Sequence, residues 1–145
     1  MGGWRDDLAL SLAETLEQMA FMLVEPAAEP LAEAPRLWAR LPLVQPLPGI
    51  LGVEVDEELA ARLLEEATGQ PGGDPALLRD TVSELANTLA GRFLHKRLGP
   101  DMEFQLGLPL GGVGDMPRSG LEWQGQEFVV DGGRVAVWLT GPSFS

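Results

Sequence analysis

Apolar residues recur at helical spacing in three stretches of this chain and alternate at strand spacing in the rest. Leu8, Leu12, Leu16, Met19 and Leu23 stand four, four, three and four apart and predict a helix over 5–23. Asp6 and Asp7 suit its first turn, and Pro26 stops it. Residues 25–35 (EPAAEPLAEAP), broken by Pro26, Pro30 and Pro35, read as a loop. A strand follows over 36–44, with Leu37, Ala39, Leu41 and Leu43 on one face and Trp38 and Arg40 on the other. Pro42 in its middle points to an edge or a bulge. Pro46, Pro48 and Gly49 turn the chain into a second strand over 49–55. Asp56 is positioned to cap a helix through Thr68, with Leu59, Leu63 and Ala67 inward and Gly69 just beyond its end. Asp74-Pro75 opens a third helix, which runs to about Leu98 and is ended by Gly99-Pro100.

The remainder reads as β. Phe104, Leu106 and Leu108 share one face of a strand over 103–108. Residues 109–119 (PLGGVGDMPRS) form a Gly/Pro loop. Leu121–Trp123 and Glu127–Val130 flank Gly125 as in a hairpin, and Asp131-Gly132 is a second turn. A last strand covers 134–139, where Val135, Val137 and Leu139 alternate with Ala136 and Trp138. The order α-β-β-α-α-β-β-β predicts an α+β, two-layer fold with long helices on one face of a largely antiparallel sheet. The 145 residues suit one domain over 1–145. No β-α-β unit with a Gly-rich first turn is present, which argues against a dinucleotide-binding domain. Gly111, Gly112 and Gly114 lack the Lys and Ser/Thr of a phosphate-binding P-loop.

Charge and rare residues narrow the chemistry. With 22 acidic against 10 basic side chains the net charge is −12, which repels nucleic acid and anionic membrane surfaces. There is no Cys and a single His, His95, so thiolate chemistry is excluded and neither a zinc site nor a Ser-His-Asp triad has its ligands or elbow motif. His95 stands near a helix end, where a cation favours the dipole. No run of about twenty apolar residues and no apolar leader segment is seen, so the cytoplasm is the expected location. Trp38, Trp123 and Trp138 fall in predicted strands and are assigned to sheet packing.

The helix over 75–98 carries the one candidate site. On a wheel, Leu78, Val82, Leu85, Leu89 and Phe93 occupy one sector. Asp80, Glu84, Asn87 and Gly91, spaced four, three and four, fall in a line nearly opposite. Such a line is commonly a solvated face. Yet a mid-helix Asn costs a few tenths of a kcal/mol relative to Ala, and a mid-helix Gly about 1 kcal/mol. A flat polar strip with a bare backbone at one point suits close approach by a partner.

The stretch Asp80-Thr81-Val82-Ser83-Glu84-Leu85-Ala86-Asn87, followed by Thr88-Leu89-Ala90-Gly91, resembles the active-site helix of the CheC/CheX chemotaxis phosphatases. That family has an acidic or Ser position, Glu four later and Asn three after that; Asp80, Glu84 and Asn87 match. Gly91-Arg92 departs from the Gly-Asn often found there. Glu14–Pro26 is similar to the first helix of CheX-type members, and the order of elements agrees along most of the chain. A second E-x-x-N on the first helix, present in two-site members, is missing here, since Ala20 follows Glu17. The resemblance implies a CheX-like, single-site phosphatase acting on the phospho-aspartate of a CheY-like receiver. Glu84 and Asn87 would be its catalytic pair, and Asp80 and Gly91 would contact the partner. No cofactor of its own is implied, since the receiver brings Mg²⁺, and a homodimer is implied. The alternative is a non-catalytic adaptor that binds a receiver, a receptor or a flagellar component.

Overall fold

A computed structural model describes residues 3–29, 33–71 and 73–144. In chain order the elements are α1 (Trp4–Ala20), β1 (Val24–Pro26), β2 (Arg36–Gln45), β3 (Gly49–Asp56), α2 (Glu57–Thr68), α3 (Pro75–Leu98), β4 (Gln105–Leu106), β5 (Leu110–Val113), β6 (Gln124–Val130) and β7 (Gly133–Thr140), with a closing 3₁₀ turn at Pro142–Phe144. The strands form one antiparallel sheet in the order β1-β6-β7-β3-β2-β4, with β5 also paired to β2. The α+β class and the helices' place on one face are as expected. Two short strands, β1 and β5, are additions to the predicted order, and Pro30 lies outside the described residues.

Ladder pairing puts the apolar positions into rows. Leu37, Val55, Val135 and Phe128 form one row, and Leu41, Leu51 and Leu139 another. These side chains are buried under the helices in a single core. Removing them from water is the main stabilising term, roughly 1.5–3 kcal/mol for each large apolar side chain. α3 packs on β2 and β3, and α1 and α2 lie against its flanks. Phe144 closes one end, its ring 5.7 Å from Phe93 and 6.1 Å from Trp4.

Several local expectations are corrected. α1 ends at Ala20 rather than at residue 23. Phe21 takes a left-handed φ of 56°, its N–H bonds Glu17 O, and the N–H of Met22 reaches back to Leu16 O. That arrangement satisfies the last carbonyls and ends the helix. Leu23 therefore leaves the apolar stripe and is exposed, while Met22 turns inward. Val24–Pro26, expected within a loop, pairs with β6. Asp56 takes the N-cap position of α2 as expected, but its side chain makes no capping bond; its Oδ2 accepts the N–H of Arg134 at 2.9 Å and ties β3 to β7. The strand expected over 103–108 shrinks to Gln105–Leu106, and Leu108 is exposed. Residues 110–113, expected to be loop, form β5. Pro42 pairs regularly with Ile50 and lies between the stretches of β2 that pair with β5 and β4, so it stands at a local edge, and the register shift comes later, between Leu43 and Gln45.

The face of the sheet away from the helices has its own packing. No hairpin bends at Gly125: β6 runs straight through it, because the ring of Trp138 lies where a Cβ would be. Gly112 makes room for Trp38 in the same way, and Gly52 for Met116. Glu54, only 2% exposed, accepts hydrogen bonds from Trp138 Nε1 (2.7 Å), the Met116 N–H (2.8 Å) and Arg118 Nη1 (3.3 Å). The Arg118 guanidinium stands 3.9 Å from the centre of the Trp138 ring. One buried carboxylate thus pins the 114–118 segment across the sheet. The turn at Asp131-Gly132 is as expected, with φ of 49° and 78°, the signature of a tight hairpin.

Candidate functional site

α3 begins as its sequence dictates. Pro75 occupies the first turn, and Asp74 Oδ1 accepts the Ala76 N–H at 2.9 Å. Leu78, Val82, Leu85, Leu89 and Phe93 are buried as the wheel requires, and so are Thr81, Ala86, Ala90 and Leu94. The buried arc is wide because α3 is covered by the sheet on one side and by α1 and α2 on others. Only a narrow outward line is left. Asp80, Glu84 and Asn87 are exposed on it, and Gly91 is half-exposed.

Glu84 and Asn87 are about 4.5 Å apart along the axis by helical rise. The polar contacts of α3 with α1 run through Arg97–Asp7 (2.9 Å), Lys96–Glu14 (2.7 Å) and Arg92–Gln18, and none uses Asp80, Glu84 or Asn87. The strip's side chains have no hydrogen-bond or ion-pair partner among the described residues, while their backbone is held from three directions. A Cβ built on Gly91 meets nothing within 4 Å, so nothing among the described residues requires Gly there. Next to Glu84, Ser83 lies against β5, where a Cβ on Gly111 would stand 3.6 Å from its Oγ.

Two features escaped the sequence reading. The line 80-84-87-91 continues to His95, which is exposed and meets Phe104 edge-on at 6.3 Å. Arg92, off the line, reaches α1 and hydrogen-bonds Gln18. His95, Phe104 and Arg92, with Thr88, Gly91, Lys96 and Glu14 of α1, border an open groove of about 630 Å³. The spacing of four from Gly91 to His95 was the signal available in the sequence; the contact with Gln18 depends on how the helices pack.

The arrangement offers two carboxylates, one amide that can both donate and accept, and a bare backbone point, all on one stiff rod. Such groups can pair with a cation and orient a small polar molecule.

No family model matches the chain, and no curated protein sequence is significantly similar to it. Solved structures are. The chemotaxis protein CheX from Vibrio vulnificus superposes with a TM-score of 0.79 at 20% identity, with 96% of each chain covered. CheX from a CheX–CheY–BeF3–Mg²⁺ complex of Borrelia burgdorferi gives 0.73 at 16% identity, covering 95% of this chain and 97% of that one. FliY from Thermotoga maritima gives 0.65 at 14%, covering 96% and 86%. The fold is therefore that of the CheC/CheX chemotaxis proteins, as the motif on α3 implied.

Proposed function

We propose that this protein is a phosphatase for the phospho-aspartate of a CheY-like response regulator in two-component signalling, with Glu84 and Asn87 as its working pair. The observation that carries the reading is the Glu84–Asn87 pair itself: exposed, without a partner among the described residues, and mounted on a helix whose other sides are buried. An acyl phosphate is already activated, and the receiver supplies Mg²⁺ and the phosphate cradle. What remains is to place a water in line with the phosphorus. The Asn87 amide can do so, donating to one lone pair and accepting one hydrogen, as the Gln of small GTPases does on another fold. Orientation of this kind is worth several kcal/mol of barrier. Glu84 pairs with the receiver's active-site Lys, which orients the complex and draws that cation away from the phosphate. Asp80, one turn earlier, and Gly91, one turn later, extend the contact.

The CheX captured with CheY, BeF3 and Mg²⁺ supports a receiver as partner. The exposed apolar side chains Leu110 and Val113 on the outer strand β5 support self-association as a homodimer. The cytoplasm, where phosphorylated receivers are found, is the proposed location; among the described residues no helix is long and apolar enough to cross a membrane.

The test is phosphate release from an acetyl-phosphate-charged receiver with Mg²⁺, comparing wild type, Asn87→Ala and Glu84→Ala. Wild type should accelerate release, Asn87→Ala should abolish the acceleration with the fold intact, and Glu84→Ala should also weaken receiver binding. Full turnover in Asn87→Ala refutes the assignment. The Gly91-Arg92 departure favours a second reading, a receiver-binding adaptor, which predicts saturable binding without any acceleration.

A further inference from the structure

We infer that the groove beyond Gly91 is a second contact for the receiver, shaped for an acidic side chain, and that it fixes the direction in which the partner lies along α3. The inference rests on the reading of Glu84 and Asn87 above. It starts from the order of charge on the exposed line. Asp80 and Glu84, with Arg79 beside them, stand on the N-terminal half, Asn87 and Gly91 are neutral, and the cations Arg92 and Lys96 flank the line on the C-terminal half. In a chain of net charge −12 with ten basic residues, this grouping beside the site stands apart.

The charge on Arg92 is available. Lys96 is matched by Glu14 at 2.7 Å, but Arg92 leans on the neutral amide of Gln18, and its Nε is buried without a partner. The groove is lined by two cations, Arg92 and Lys96, against one carboxylate, Glu14, and its floor at Gly91 carries no side chain. A guanidinium is matched best by a carboxylate, and the end of Arg92 that Gln18 does not engage can hydrogen-bond one. The phosphoryl group itself is not the occupant. Arg92 lies five residues beyond Asn87, about 7.5 Å along the axis and about 140° around it, so the two side chains address different points. The occupant is an Asp or Glu on the receiver surface, displaced from the phosphorylation site toward the C-terminal end of α3. A receiver laid the other way would bring that acid against Asp80 and Glu84 and its Lys against Arg92, repelling at both ends.

The experiment is steady-state hydrolysis of the phosphorylated receiver by wild type, Arg92→Gln, Arg92→Lys, Gln18→Ala and Asn87→Ala, in parallel with titration of the BeF3-charged receiver. Arg92→Gln should raise KM about tenfold with kcat unchanged, the scale of one charge-assisted contact. Arg92→Lys should recover part of the loss, and added salt should narrow the gap from wild type. Gln18→Ala, which breaks the contact with α1 but keeps the charge, should leave KM near wild type; a rise equal to that of Arg92→Gln would assign Arg92 to helix packing and overturn the inference. Unchanged KM in Arg92→Gln, with Asn87→Ala inactive, sinks the groove and leaves the phosphatase standing. If wild type hydrolyses no receiver, the phosphatase reading fails, and the titration decides the groove alone: tenfold weaker binding by Arg92→Gln upholds it, and equal or absent binding overturns it.

Discussion

Replacing Gly91 with Ala should make this protein more stable and less active at once. The stability term follows from the helix. Gly91 lies within α3, and a Cβ there meets nothing within 4 Å, so the substitution recovers the intrinsic difference between Ala and Gly, about 1 kcal/mol, without a clash. For a chain of this length that raises the melting temperature by about 2–4 °C. The activity term follows from the strip. Gly91 stands one turn beyond Asn87 on the outward line, so a methyl group there projects into whatever packs on it. Forcing a methyl into a fitted contact costs roughly 1–3 kcal/mol, or a rise in KM of about 5- to 150-fold, and Gly91→Leu should be worse. Thermal denaturation by circular dichroism and phosphate release from the charged receiver read the two effects separately. A stabilised variant with unchanged kcat/KM would refute close approach at Gly91. A destabilised variant would refute the claim that its surroundings are open.

Two further perturbations test the scaffold. Glu54→Ala leaves Trp138 Nε1 and the Met116 N–H without their acceptor and Arg118 without its counter-ion; unfolding in urea should show a loss of about 2–4 kcal/mol, and little change would mean the outer-face cluster is dispensable. Asp74→Ala removes the cap of α3 and should cost about 1 kcal/mol while leaving kcat intact, because the strip begins a turn later; lost turnover in a folded variant would contradict that separation.

Where local chemistry decides the backbone, the structure was legible in the residues. Asp74-Pro75 and Gly99 bound α3, Gly69 ends α2, and Asp131-Gly132 makes the hairpin, each through short-range geometry. The alternation in 36–44 and 49–55 was equally readable, because burial on one face imposes it. What escaped depends on partners distant in sequence. The stretch Leu110–Val113 has two glycines and weak strand propensity, and becomes β5 because β2 offers a free edge and the rings and side chains around it need those glycines small. Gly125 looked like a turn and is a seat for Trp138. Asp56 looked like a cap, and its side chain is engaged by Arg134 from a strand many residues away. Phe21 ends α1 in a conformation its side chain does not favour, so no punctuation marked the helix end. At the candidate site, the outward line was readable because it needs only the helical period. The role of Arg92 was not, because it depends on the position of α1.

The isolation of the strip has a consequence for how such a protein can change over generations. Among the described residues Asp80, Glu84 and Asn87 have no side-chain partner, so exchanging them for other helix-compatible residues changes stability by only a few tenths of a kcal/mol. A lineage could lose the amide, or restore it, in one substitution and keep the same body throughout. Selection would see these positions only through a second molecule, and the same scaffold could pass between an enzyme and a silent binder without crossing an unfolded intermediate form.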